Sequence, residues 1–259
     1  MRPLLASILI VALWAIPALA CAEERLAPDA QAAEQPDGSA DFLFGRPHAW
    51  VAVSGTWLMP RASGDFFKFL SDQLTIERSD FRSPAFSAAV GAPIARRFDL
   101  VGDFERGHSL VQSQYRHYVK ADRSEITQTT ELNQTAIAVG LRYLPLGRGQ
   151  SVSRFAFVPR RLVPYFGAGV DFSHYNFHQR GEFVDFVDLS IFNHVFNSNG
   201  WAMGSQVEAG ADLQLWRMFY FNAGVRYGWV QGKLNSDFVG FDGIDLSGFT
   251  TSSGLVIVF

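Results

Sequence analysis

The chain ends in SSGLVIVF, residues 252–259, and the fold prediction starts from this octet. Side chains alternate between the two faces of a β-strand, so Leu255, Ile257 and Phe259 share one apolar face. In an open sheet such a strand would be an exposed, aggregation-prone edge. Pairing it with the first strand removes the edge, which predicts a closed barrel. For the octet alone, the alternative is an ordinary final strand of a soluble β-protein.

Residues 219–229, FYFNAGVRYGW, show which environment the barrel faces. The odd positions carry aromatic residues at both ends and aliphatic residues in the middle, whereas the even positions are polar or small. An apolar band between two aromatic girdles matches the depth profile of a lipid bilayer. The predicted girdle consists of Trp57, Tyr143, Phe219, Phe221, Tyr227 and Trp229.

Segments of about ten residues with this alternation recur along the chain, as membrane-spanning strands require. The eight predicted strands are 48–60, 84–95, 97–109, 130–144, 163–176, 201–215, 218–231 and 246–259. Two tight turns and the connection 145–162 lie at one end, and four longer loops lie at the other. The predicted fold is therefore all-β, an eight-stranded antiparallel up-and-down transmembrane β-barrel.

The inward face of these strands carries ionisable side chains. They are Asp103, Glu105, Arg142, Asp171, Glu208, Asp212 and Arg226. On the lipid face each would cost up to about 2–4 kcal/mol near the bilayer midplane, so they are expected in the lumen. We predict a lumenal ion-pair network there, with Glu208 opposite Arg226 and Arg142 near Asp171 or Glu105.

The N-terminus has the features of a secretory signal. Residues 1–20 combine Arg2, an apolar core and an Ala-Leu-Ala cleavage site. Residues 21–42 are polar and lack strand periodicity, which predicts a flexible periplasmic leader before a barrel domain at 43–259. Cys21 directly follows the cleavage site, so lipidation of this cysteine is an open alternative.

Composition excludes several functions. The formal net charge is −3, so nucleic-acid binding has no electrostatic support. A single cysteine leaves no disulfide framework and no cysteine cluster for zinc. No histidine spacing typical of a metal site and no nucleotide-binding motif occurs, so we expect no cofactor and no metal.

The histidines offer little for catalysis. His108 and Ser109 are neighbours, as are Ser173 and His174, and neighbours on a strand point to opposite faces. Neither pair can work as nucleophile and base.

Loop 177–200 is unusually apolar for a surface loop. It could extend the strands above the membrane or fold as a short helix over the barrel mouth. Its apolar side chains could serve packing between loops or contact with a hydrophobic ligand.

Four motifs carry a family resemblance: AVGLRYLPL (138–146), YFGAGV (165–170), GVRYGW (224–229) and the terminal octet. The chain resembles the small bacterial outer-membrane barrels of the OmpA-like, OmpW-like and opacity types. The resemblance implies that Ser252, Gly254, Ile257 and Phe259 form an insertion signal recognised by the barrel-assembly machinery. It also implies residence in the outer membrane of a Gram-negative bacterium, in contact with its lipid and lipopolysaccharide.

The sequence thus predicts a non-enzymatic integral outer-membrane protein with a plugged polar lumen and a structural or surface-interaction role. Two alternatives stay open. The first is a narrow conduit for small hydrophobic molecules, as the OmpW-like resemblance implies. The second is a lipid-modifying enzyme, although the His-x-Ser pattern of outer-membrane lipid A deacylases is absent at every histidine.

Overall fold

The structure is a computed structural model that describes residues 42–238 and 240–259. The predicted signal peptide, almost all of the predicted leader and the lipidation of Cys21 lie outside the described residues. They stay predictions.

Eight long antiparallel strands form one closed ring. They are β1 (Trp50–Pro60), β2 (Ser83–Pro93), β3 (Phe98–Val119), β4 (Glu125–Tyr143), β5 (Leu162–Val184), β6 (Ile191–Trp216), β7 (Phe219–Gly232) and β8 (Gly248–Val258). Each strand pairs with the next along the chain, and β8 pairs with β1, where Leu255 lies opposite Val53. The ring confirms the predicted eight-stranded up-and-down barrel, and the C-terminal octet lies in its closing strand.

The outer wall is apolar, as predicted. Val53 and Trp57 on β1, Leu141 on β4 and Leu255 on β8 are exposed on its surface. Their strand neighbours Ser54 and Thr56 are buried on the lumenal side. This polarity is opposite to that of a soluble ligand-binding barrel, because lipid replaces water as the outer solvent.

Four strands are longer than predicted at the end where the long loops lie. On β3 and β4 the apolar outer face stops at Phe104 and Ile137, yet backbone pairing continues to Gln114 opposite Thr127. The predicted strand ends followed the apolar alternation, whereas backbone hydrogen bonding needs no apolar side chain. The β5–β6 hairpin continues in the same way to a turn at residues 185–190, so loop 177–200 extends the strands and forms no helix.

A helix instead lies in the first of the four longer loops, for which no secondary structure was predicted. Helix α1 (Asp65–Gln73) begins after Gly64 and buries Phe66, Phe67 and Leu70 on one side. These apolar positions have helical spacing. The helix packs over the mouth of the barrel, where the Phe66 ring lies 4.9 Å from that of Phe177 on β5. It is too short and too polar to cross a membrane.

At the opposite end, residues 42–49 and 144–161 form what we call the floor. Its short strands Leu43–Phe44, Ala156–Pro159 and Gly149–Ser151 make a three-stranded sheet. Backbone amides of His48 and Ala49 donate to the carbonyl of Phe259 at 2.8 and 3.0 Å, which ties the floor to the end of β8. The long connection 145–162 is therefore a structured element that joins the segment before β1.

Candidate functional site: the lumen, its two closures and the long hairpin

Arg226 lies at the centre of the lumen. Its guanidinium contacts Asp103 at 3.1 Å and Glu105 at 2.5 Å, both on β3. Glu208 lies opposite Arg226 in the β6–β7 register, as expected, but the ion pair predicted between them is not formed. A long guanidinium side chain can reach across a narrow barrel, so distance through the lumen and not strand adjacency decides its partner.

Glu208 pairs with Arg142 instead, through two hydrogen bonds of 3.0 and 3.2 Å. The two residues are on β4 and β6, and Gly167 on β5 occupies the same row between them. A β-carbon at residue 167 would lie 2.5 Å from the Glu208 carboxylate. Because glycine has no side chain, the bidentate ion pair between β4 and β6 can form across β5. The sequence analysis missed this signal.

The expected contacts of Arg142 with Asp171 or Glu105 are wrong. Asp171 is buried but makes no ion pair within 4.0 Å in the described part of the chain, and its carboxylate accepts a hydrogen bond from the hydroxyl of Ser173. Arg142 is held instead between Glu208 and the ring of Tyr165, whose centroid lies 3.9 Å from the guanidinium carbon. A cation–π contact of this kind further fixes the arginine.

Arg148 closes the lumen from the floor, a role that sequence reasoning missed. Its guanidinium reaches into the barrel and contacts Asp99 at 2.6 Å and Asp212 at 3.4 Å. Asp212 is 0% exposed, and its other oxygen accepts from the amide of Asn222 at 2.6 Å. Asp99 also accepts from the Trp50 indole at 2.9 Å. The available signal was a pair of inward acids, Asp99 and Asp212, near the turns at the end of the barrel where the connection 145–162 carries several arginines.

An apolar cluster closes the opposite end beneath α1. Phe66, Leu70, Leu132, Tyr175 and Phe177 are all almost fully buried. Aromatic rings meet edge to face here, an arrangement that stabilises a core beyond the area it buries. The lumen between the two closures retains cavities of about 50, 50 and 20 Å³. Each holds at most a few water molecules.

The predicted girdle residues lie on the outer wall in two groups. Tyr143, Phe219 and Phe221 are near the floor, and Trp57, Tyr227 and Trp229 are near the long loops. Rings missed by the sequence analysis extend both groups. Near the floor, Phe98 lies 5.2 Å from Tyr143 and Trp216 stacks on Phe219 at 6.1 Å. Near the loops, Phe249 lies 4.7 Å from Tyr227.

The proposed insertion-signal residues lie on or next to β8. Gly254 packs so closely on β1 that a β-carbon would meet the Val53 carbonyl at 2.1 Å. Ser252 is half-buried towards the lumen, Ile257 is half-buried on the outer wall, and Phe259 is exposed. This placement leaves recognition by the assembly machinery a prediction.

The histidine pairs lie on opposite faces. His108 points outward and contacts Asn133 at 2.8 Å, while Ser109 is buried on the lumenal side. His174 packs outward on the ring of Trp201, and Ser173 is buried. No group of three or more potential metal ligands occurs within residues 42–238 and 240–259.

The β5–β6 hairpin ends in an apolar tip, residues 185–192. Phe186, Val187 and Leu189 are exposed there, Val187 by 94%. The amide of Ser190 donates to Asp188 at 2.9 Å. Hydrogen bonds from the Ser190 side chain and backbone hold the pKa of Asp188 below its ordinary value. The tip therefore combines apolar side chains with a carboxylate that is ionised at neutral pH.

No family model and no curated protein matches the chain. Among solved structures, it is similar to the outer membrane protein OprG from Pseudomonas aeruginosa, with 12% identity, a TM-score of 0.48 and 85% of this chain and 99% of that chain covered. Neisserial surface protein A has 14% identity and a TM-score of 0.45, with 82% and 97% covered.

A third similar structure is that of Ail, the attachment invasion locus protein of Yersinia pestis, in complex with the heparin analogue sucrose octasulfate. It has 10% identity and a TM-score of 0.40, with 81% and 99% of the two chains covered. The fold itself rests on the closed ring of strands, its apolar outer wall and its charged lumen. With these features the chain is an integral membrane β-barrel protein, as the sequence predicted.

Proposed function

We propose that this protein is a non-enzymatic, sealed outer-membrane barrel that presents its β5–β6 hairpin for contact at the cell surface. The observation that carries the proposal is the combination of a filled lumen with an exposed apolar hairpin tip. A transport protein needs the lumen open, whereas a contact protein needs only a rigid base for its loops.

The filling of the lumen supports a non-conducting barrel. Arg148 and Trp50 block the floor end, Arg226 and Arg142 cross the middle with their acids, and Phe66 covers the mouth. The largest of the three small lumenal cavities is about 50 Å³. A hydrophobic solute would have to displace buried ion pairs, which is costly because it leaves charges without partners.

Conductance in a planar bilayer tests the seal. We expect the purified, refolded full chain to show no discrete conductance, although its unboiled form migrates differently on a gel from the boiled form. The matched variant Arg148→Ala, which removes the floor closure, serves as the sensitivity control. Discrete openings of the unmodified protein that hydrophobic solutes block would contradict the seal and favour the conduit.

The apolar tip supports a contact role. β5 and β6 stay paired from Leu162 opposite Leu213 to Val184 opposite Ile191, well beyond the apolar wall that ends at Phe172. At about 3.4 Å per residue, the extension from Phe172 to Val184 carries the tip roughly 40 Å further along the strands. The ionised Asp188 disfavours insertion of the tip into an anionic surface, so a protein or other apolar surface is the expected contact.

A tip variant tests this role. Cells that express Val187→Ser/Leu189→Ser should attach several-fold less to alkyl-coated surfaces than cells with the unmodified protein, at equal surface amounts. The control variant Val152→Ser changes another exposed apolar residue, in the floor, and should leave attachment unchanged. Equal attachment of the tip variant and the unmodified protein would overturn the contact role.

A further inference from the structure

The two ends of the barrel differ in charge. The connections at the floor end, residues 42–49, 93–97, 144–161 and 216–218, contain eight arginines and no Asp or Glu. The long loops, 61–82, 110–129, 177–200 and 233–247, contain nine Lys and Arg against twelve Asp and Glu. The floor arginines are Arg46, Arg96, Arg97, Arg148, Arg154, Arg160, Arg161 and Arg217. A surface of one sign attracts ligands of the opposite sign.

Four of these arginines line a single pocket, and Arg148, the fourth, is already paired with Asp99. Arg46, Arg96 and Arg97 line a cavity of about 340 Å³ between the β2–β3 turn and the floor. Arg46 donates to the carbonyl of Ala95 at 2.9 Å, which orients it beside the turn. None of the three makes an ion pair within 4.0 Å across the described residues. The acidic side chain in the pocket lining, Asp99, is bonded to Arg148.

The pocket borders the apolar wall of the barrel. Arg97 directly precedes Phe98, and Phe98 lies beside Tyr143, 5.2 Å away between ring centroids. One step along the wall, Leu100 lies opposite Leu141, and both are exposed. The apolar outer wall thus begins one residue along the chain from Arg97, which lines the pocket.

We propose that Arg46, Arg96 and Arg97 bind the phosphate of an anionic phospholipid of the inner leaflet, whose acyl chains lie on Phe98, Tyr143, Leu100 and Leu141. This inference rests on the proposed function, since it requires the barrel to be in a membrane with the floor towards the periplasm. Guanidinium groups are suited to phosphate because their donors match its oxygens in pairs. A free phosphate compound shares the headgroup chemistry but lacks the chains.

Native mass spectrometry of the refolded full chain tests the site, with phosphatidylglycerol and phosphatidylcholine of identical acyl chains as probes. We expect the unmodified protein to retain phosphatidylglycerol preferentially. Arg96→Gln/Arg97→Gln should reduce that preference about 10- to 30-fold, since each basic residue beside an anionic bilayer surface contributes about a fivefold change in affinity. Arg154→Gln/Arg217→Gln removes the same charge outside the pocket and should change it less than about twofold.

The outcomes separate the site from the fold. Equal losses in both double variants would show a general charge effect and overturn the pocket. Arginine-dependent binding of inorganic phosphate without any phosphatidylglycerol preference would overturn the lipid and favour a soluble phosphate compound. A heat-modifiable barrel that retains neither probe would overturn the site alone, whereas failure to insert into bilayers would overturn the proposed function itself.

Discussion

Within the membrane, the lumen of this barrel is charged; above the membrane, the same strands enclose an apolar cluster together with buried, uncharged polar side chains such as Gln128 and Thr130. On β5, inward positions change from Asp171 and Ser173 to Tyr175 and Phe177, while outward positions change from Val170 and Phe172 to His174 and Asn176. The polarity of the strand inverts within a few residues. Lipid outside the lower half requires apolar outer residues and leaves the polar ones inside, and water outside the upper half requires the reverse.

The two halves therefore depend on different interactions for stability. In the lower half, arginines must satisfy carboxylates that are out of contact with water. In the upper half, α1 and the long hairpins form a small hydrophobic core, as a soluble domain would. Removing an ion pair should therefore destabilise the lower half and spare the upper half, and removing apolar contacts should do the reverse. Four variants test that separation.

The largest effect is expected for Arg226→Ala. It leaves the buried Glu105 and the partly buried Asp103 without their shared guanidinium, which should lower the free energy of unfolding by about 3–5 kcal/mol. Urea titration of the barrel in detergent, followed by the heat-modifiable gel shift, measures the loss. The control Arg106→Ala removes an exposed, outward arginine from β3 and should have little effect. Equal stability of Arg226→Ala and the unmodified protein would contradict the ion-pair layer.

The corresponding change in the upper half is Phe66→Ala. The cavity it creates should destabilise the cap formed by α1 by about 3 kcal/mol, while the urea midpoint of the membrane-spanning part stays unchanged. Limited proteolysis of the first loop reports the cap, and the gel shift reports the barrel. The exposed neighbour Lys68→Ala is the control. A fall in both readouts would mean that the halves unfold as one unit.

A smaller loss is expected for Gly167→Val, which places a side chain where Glu208 reaches Arg142. Its β-carbon would lie 2.5 Å from the carboxylate, so overpacking should cost about 1–3 kcal/mol in the urea titration. Gly55→Val is the matched control, because nothing lies within 4 Å of a β-carbon there. If both valine variants behaved alike, the space at residue 167 would have no special role.

The smallest effect is expected for Lys120→Ala, which removes an ion pair with Glu182 of 2.7 Å between the long loops. Both side chains are partly exposed, so the pair should contribute about 0–1 kcal/mol. Proteolysis of the second loop would detect it better than the unfolding of the barrel. If Lys120→Ala lowered the free energy of unfolding as much as Arg226→Ala, buried and partly exposed ion pairs would not differ in their contribution to stability.

The sequence analysis succeeded where the signal is local. Strand alternation, the short turns and the closing octet predicted eight strands and their outward faces, because each depends on side chains one or two residues apart. It failed where the signal is distant. The pairing of Glu208 with Arg226 was inferred from adjacent strands, whereas Glu208 bonds to Arg142 across Gly167. Helix α1 was not predicted, although Phe66, Phe67 and Leu70 have helical spacing.

The order of residues along each strand is enough to predict a membrane barrel with charged residues inside, because a bilayer imposes the same apolar outer face on every strand. Which charges meet, that Arg148 closes the lumen from the floor, and that α1 covers the mouth are visible only in the folded molecule. Those outcomes depend on distances across a space enclosed by all eight strands. Such distances exist only after the ring has closed, and no single segment of the chain encodes them.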